Sequence, residues 1–292
     1  MNAYTGEVAC LAAAALWSVA VALFRDPIER HGARVVNLAK CALALALLSL
    51  TASAAGRLGE LVGAPDRDLW LIAISGVVGL TLGDTALFAA VGRIGPYRTL
   101  LLQTLTPAFT AVVAFAWLGR VPGPWQAVGA IVTLTGVALV LLAGRAGERR
   151  LDRSPTAGIG VGVALAIAAA FGQGAGIVLA KEGMTTVSAL PAAVLRLGAA
   201  TLGLAIAMTG RVRLSAVTSV LVRRGNGFSR IVAGTALGTY LAFFLMMVGI
   251  DRAPETVAAV LLSTTPVFGL FVDAWLGRER ITPPALAGTA LA

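Results

Sequence analysis

The sequence predicts an all-α polytopic membrane protein made of two inverted five-helix repeats, the tenth helix truncated, and three observations carry that prediction. The 292 residues are 58% hydrophobic and 13% charged, with mean hydropathy +0.88, whereas a soluble domain carries about a quarter charged residues. Apolar stretches of about 20 residues recur along the whole length, each able to cross a hydrocarbon core of roughly 30 Å. The chain also matches itself at a shift of 159 residues, Pro107 onto Pro266.

In chain order the spans fall near residues 5–24, 35–54, 69–92, 96–118, 124–144, 158–180, 188–209, 229–250 and 254–276. A tenth opens at Pro283 as "PPALAGTALA", and ten helical residues reach only about 15 Å. The last helix is therefore expected to be incomplete. "MNAYTGE" holds an acid and no base ahead of an apolar run too long for a signal-peptide core, so the first span is expected to stay attached.

The self-match is extensive. Thr106, Pro107 and Phe109 fall on Thr265, Pro266 and Phe268, and Ser75, Gly79 and Gly83 fall on Gly234, Gly238 and Ala242. "AWLGR" at 116–120 returns at 274–278, "KCALALALL" from Lys40 matches "RLGAATLGL" from Arg196, and Trp17 falls near Phe171. The units are residues 1–144 and 158–292, joined by a charged linker at 145–157. Five spans is an odd number, so the second copy enters the bilayer from the opposite side. Inverted repeats of this kind are a device of secondary transporters, with substrate sites near the midplane at the repeat interface.

Net charge +9 and a pI near 10.9 do not point to nucleic acid, because the bases lie in short loops between spans, where membrane proteins collect them. Only Lys40 and Lys181 are lysines. Cys10 and Cys41 fall within spans, which implies neither a disulfide framework nor a metal cage. The single histidine, His31, is placed in a loop, and one histidine rules out histidine-based zinc or diiron sites. No cofactor is expected.

The tandem five-helix units, the mid-helix prolines Pro107 and Pro266, the "LGR" and "LGRER" turns that follow, and the Lys40/Arg196 position together resemble the drug/metabolite transporter superfamily, specifically its EamA-type ten-helix exporters. The resemblance covers essentially the whole chain. Two departures stand out: family turns often read Gly-Glu-Arg where this chain has Gly119-Arg120-Val121 and Gly277-Arg278-Glu279, and the tenth helix is expected to be incomplete. The resemblance implies a small-molecule substrate, a multi-pass bacterial-type inner-membrane location and termini in the cytoplasm. The charge bias points the other way. Loops after odd-numbered spans, counted with Arg98 and Arg230 at the adjoining span ends, carry sixteen bases and those after even-numbered spans five, which places the N-terminus outside.

Three ionisable residues fall deep inside spans, where a lone charge costs at least about 2.5 to 3.5 kcal/mol: Lys40, Asp84 and Arg196. Lys40 and Asp84 are expected at similar depth on one side, and two readings stand. They form a structural ion pair, or Asp84 cycles its proton while Lys40 meets an anionic substrate group. Arg196 is expected to flank a central cavity from the other side. Trp17, Gln103, Gln173 and Tyr240 are added as polar or amphipathic groups around that cavity, with bonding between helices as the alternative for each.

The prolines also have two readings. They kink helices so that the bundle closes, or they line a cavity as hinges, with the carbonyls of Gln103 and Leu262 left without helical donors. The ladder Ser75/Gly79/Gly83 and Gly234/Gly238/Ala242 reads as close helix packing.

The leading functional expectation is a proton-coupled secondary exporter of a small metabolite or amino-acid-like compound, working by alternating access. No phosphate-cradling Walker loop is present, which disfavours ATP-driven transport. The alternatives are a passive channel or scramblase-like protein and, further off, an intramembrane enzyme built on Asp84 and Asp273. The enzyme reading suffers because "TLGD" at 81–84 lacks the Gly-x-Gly-Asp context and Asp273 is expected at the interface.

Overall fold

The computed structural model describes residues 4–121, 123–124, 128, 132, 159–208 and 227–275. The predicted fifth span apart from isolated positions, the linker 145–157, the arginines of 211–224 and the tenth segment lie outside the described residues. Every described element is helical. Seven helices are long and apolar enough to cross a membrane: α1 (Thr5–His31), α2 (Ala33–Ala54), α3 (Asp66–Ile94), α4 (Arg98–Leu118), α5 (Ile159–Gly183), α6 (Ala189–Met208) and α7 (Phe228–Arg252). Two shorter ones follow, α8 (Glu255–Leu262) and α9 (Thr265–Trp275). His31, expected in a loop, is the last residue of α1, because Gly32 alone separates α1 from α2. Its φ of +83° is a conformation that favours glycine.

Contacts at the helix ends fix the sense of each helix. Lys181, near the end of α5, donates to the carbonyls of Ile250, Asp251 and Ala253 at the end of α7, at 2.8, 2.8 and 3.1 Å. Arg120, just past α4, bonds Glu182 at 2.8 Å and Glu255, the first residue of α8, at 2.7 Å. Thr185 and Thr186, ahead of α6, donate to Asp68 at the start of α3, and Gly6 at the start of α1 packs against Arg252 and Ala253. At the opposite face Arg230 of α7 pairs with Asp26 of α1, and Gly162 of α5 packs against Arg93 and Ile94 of α3. Helix α1 therefore runs away from the first face while α5 runs toward it. The second half is upside down relative to the first, as the odd span count requires.

The halves interlock crosswise. The third helix of each packs on the first helix of the other, α3 on α5 and α7 on α1, and the second helices α2 and α6 pack together. Small residues make this possible. A Cβ at Gly172 would stand 3.0 Å from the Val78 carbonyl oxygen, and one at Gly176 would stand 3.2 Å from the Gly79 Cα. In the other half, Gly234 meets the Phe24 ring and Gly238 meets Trp17, at 2.9 and 3.1 Å on the same measure. Gly83 faces the Ala169 carbonyl, Ser75 folds its hydroxyl onto the Ile72 carbonyl at 2.6 Å, and Ala242 is buried.

Two departures from α-helical geometry recur at matching places in both halves. Residues Val77–Gly83 of α3 and Thr235–Ala242 of α7 form wide π-helical turns, a feature found mostly as single turns at functional sites. The fourth helix of each half is broken rather than bent. Gln103–Leu105 form a tight 3₁₀ turn inside α4, a turn at 263–264 separates α8 from α9, and each proline is the second residue of the segment that restarts. A proline there needs no helical donor. The carbonyls expected to lack partners are paired locally. That of Gln103 accepts from the Thr106 amide, and that of Leu262 accepts from the Thr265 hydroxyl at 2.6 Å.

A side chain at position 76 would collide with the backbone carbonyl of Arg196 on α6. Gly76→Val is expected to cost about 1–3 kcal/mol as overpacking, read as a lower Tm in detergent. Gly59→Ala, where nothing lies within 4 Å, is expected to leave Tm unchanged.

Candidate functional site

A cavity lies between the two halves, its walls drawn from both and its mouth open. Of the seven residues expected around it, Trp17, Lys40, Asp84, Gln103 and Gln173 line it. Arg196 and Tyr240 do not.

The charged end is built from three helices. Asp84 stands where the wide turn of α3 returns to α-helical pitch. One carboxylate oxygen pairs with Lys40 Nζ from α2, and the other accepts from Gln173 Nε2 of α5 at 2.5 Å. Lys40 and Asp84 are both fully buried, so each desolvated charge depends on the other. The ammonium also lies 5.2 Å from the Trp17 ring centroid and 5.1 Å from that of Phe88. Ring faces attract a cation at that range.

The wide turn supplies the rest of the geometry. Widening shifts carbonyls out of the i−4 register, and side chains from other helices meet them. Asn37 Nδ2 donates to the Leu80 carbonyl at 3.0 Å and to Thr85 at 2.9 Å, and Gln173 Nε2 reaches the Gly79 carbonyl at 3.3 Å. Asn37 went unnoticed in the sequence, although an amide one turn before Lys40 on an apolar helix was a usable signal. Gln103 Nε2 is turned onto the Ala166 carbonyl at 3.0 Å, tying the break in α4 to α5.

The opposite wall comes from the second half. Thr239, Phe243 and Met246 of α7 line it, as do Ser263 and Thr265 at the break between α8 and α9. None of these was singled out in the sequence, because hydroxyls and apolar residues are common in membrane helices. Only their repeat positions mark them: Thr239 corresponds to Leu80 and Phe243 to Asp84.

Arg196 sits away from the cavity, fully buried in the glycine-lined seam between α3 and α5, its Nη2 at the spaces left by Gly79 and Gly176. Its guanidinium lies over the Phe243 ring at 5.5 Å, and Nη1 contacts Met247 Sδ at 3.4 Å. Among the described residues Nε and Nη2 have no hydrogen-bond partner. The divergence has a simple origin. Lys40 meets an acid at position 84, whereas the equivalent of that acid beside Arg196 is Phe243. Tyr240 bonds the Thr51 hydroxyl at 3.0 Å, a tie from α7 to α2 across the halves. Pro107 and Pro266 flank the cavity in sequence without lining it, and the small ladder residues sit in helix contacts, with Gly238 and Ala242 also reaching the wall. Among the described residues no cluster of three metal-ligating side chains occurs.

Tyr240→Phe removes the tie to Thr51 and leaves the cavity wall intact. It is expected to lower stability by about 0.6 kcal/mol, the mean for such bonds in membranes, seen as a small drop in Tm with unchanged solute flux.

The model of the EamA-like transporter family matches residues 4–142 and 160–292. A solved crystal structure shares the fold at a TM-score of 0.72 and 19% identity, the alignment covering 98% of this chain and 93% of that one. No curated protein matches. Two matches of the same family model fall one on each half of a chain that repeats itself in sequence and in space, and the chain belongs to the EamA-like transporter family, membrane transporters of small solutes.

Proposed function

We propose that the chain is a proton-coupled secondary exporter of a small amphipathic or amino-acid-like metabolite, working by alternating access in a bacterial-type inner membrane. The observation that carries this reading is Asp84 in the cavity wall, shared between Lys40 and Gln173. With Asp84 ionised, the ammonium is held by its carboxylate and by two aromatic rings. A solute carrying both charges inserts there, its amino group on Asp84 and its anionic group on Lys40, while Trp17 offers its ring to an apolar part, and a proton arriving on Asp84 cancels the hold on the amino group and releases the solute. Deprotonation restores the carboxylate and readmits the solute. Proton and solute thus exclude one another on one ion pair, the minimum requirement for exchange. Gln173 and Gln103 position the solute from α5 and α4.

The breaks in the fourth helices serve as hinges. They need no hydrogen bond broken by proline during motion, and Gln103 and Ser263 at the breaks also line the cavity, so a swing of either half-helix changes the wall. Arg196 and Tyr240 act as groups that hold the second helices in place. The family comparison supports the solute-transporter part of this reading, and the bases Arg25, Arg30, Arg34 and Arg93 gathered at the helix ends of one face support placing that face in the cytoplasm.

Asp84→Asn is expected to abolish gradient-driven uptake of a radiolabelled L-amino-acid mixture into inverted vesicles. Retained downhill flux with no response to the gradient would favour the channel reading. Lys40→Met, which strands a buried carboxylate, is expected to destabilise by about 3–5 kcal/mol, seen as loss of folded protein in detergent. The double replacement Lys40→Met with Asp84→Leu is expected to regain the fold and stay inactive. Recovery of coupled uptake in that double variant would show the pair to be structural alone.

A further inference from the structure

Several threonines in these helices bond a carbonyl of their own helix, and those of the two wide turns do not. In α-helical stretches a threonine hydroxyl commonly donates to the carbonyl four residues back, and Thr51, Thr99, Thr110 and Thr201 do so at 2.9, 2.7, 2.9 and 2.7 Å. In the two wide turns no threonine does. Thr81 reaches across to the Ala200 carbonyl at 3.0 Å, while the buried hydroxyls of Thr235 and Thr239 have no hydrogen-bond partner among the described residues. The cause is local. A turn whose hydrogen bonds run to the fifth residue back moves the carbonyl that the hydroxyl would otherwise use.

Thr235 and Thr239 differ in where they stand. Thr239 is 1% exposed and forms part of the cavity wall, whereas Thr235 does not line it. An unpaired hydroxyl in an apolar setting carries an uncompensated desolvation cost, a cost that a partner arriving with the solute removes. The surroundings define that partner. Thr239 sits among Ala242, Phe243, Met246 and Ala259 in the wall, on the half that has Phe243 where the other half has Asp84. That half of the wall carries no charged side chain among the described residues, so it suits an uncharged oxygen. Trp17 touches both Lys40 and the neighbouring Gly238, which places the ring between the ionic end and Thr239.

We propose that Thr239 is a substrate-contacting residue whose hydroxyl hydrogen-bonds an uncharged carbonyl or hydroxyl oxygen of the solute. The solute class this defines has an ionic group for the Lys40–Asp84 end, an apolar part beside Trp17, and a neutral oxygen for the second half. The assignment rests on the reading of the cavity as the solute site.

Two measurements on the full chain test it. The first is labelling by N-ethylmaleimide of Thr239→Cys and Thr235→Cys in vesicles, with the unsubstituted chain as the blank for Cys10 and Cys41. Thr239→Cys is expected to react at least tenfold faster than Thr235→Cys. Equal rates would place position 239 outside the solute path and overturn the proposal. The second is uptake of the radiolabelled L-amino-acid mixture. Thr239→Val, nearly isosteric, is expected to lose about tenfold in flux at low concentration, the worth of about 1.4 kcal/mol. Thr239→Ser is expected to stay within about twofold of the unsubstituted chain. Unchanged flux in Thr239→Val overturns the proposal while leaving the exporter reading intact. If the unsubstituted chain carries nothing from the mixture, the solute class proposed above is what fails, and the labelling contrast decides the assignment of Thr239.

Discussion

In lipid, a backbone carbonyl or amide without a partner inside the protein costs several kcal/mol, and the unusual features of this fold answer to that constraint. Each half departs from the α-helix twice, at a wide turn in its third helix and at a break in its fourth. In the first half the carbonyls near the wide turn are met by Asn37 and Gln173, and the break is closed by the Thr106 amide. In the second half the Thr265 hydroxyl meets the carbonyl at the break. The same side chains that satisfy the backbone also shape the cavity. Gln173 is both the partner of the Gly79 carbonyl and a ligand of Asp84, so the site and the helix that carries it are held by one set of bonds.

Close approach of the halves depends on the absence of side chains. Helices α3 and α5 meet backbone to backbone at Gly79, Gly172 and Gly176. A pair of helices spaced by ordinary side chains sits about 8–10 Å apart, which would carry Gln173 out of reach of Asp84. The glycines are therefore a condition for the polar site as well as for packing.

The two halves share a frame and differ in chemistry. Positions 40 and 196 both carry a cation, yet Lys40 has an acid and two rings while Arg196 has a ring and a thioether. Positions 84 and 243 carry an acid and a phenyl ring. A symmetric pore with an ion pair in each half would offer two equal sites. Divergence leaves the cavity with one ionic end and one neutral wall.

Composition and the 159-residue self-match, Pro107 onto Pro266, were enough to determine the helical class, the doubling and the inversion, because span length and an odd span count are one-dimensional properties of a chain in a bilayer of fixed thickness. They also exposed Lys40 and Asp84, since a charge among apolar residues is visible without coordinates. Which polar residues face the cavity was decided only by tertiary structure. Gln173 and Tyr240 look alike in the sequence, each a polar group in an apolar span, but a helix is polar or apolar by face, and its rotation is set by packing on neighbours distant in the chain. Packing turned Gln173 onto Asp84 and Tyr240 onto Thr51. The wide turns, and with them the Thr239 hydroxyl that has no partner among the described residues, arise from backbone geometry that no residue type announces.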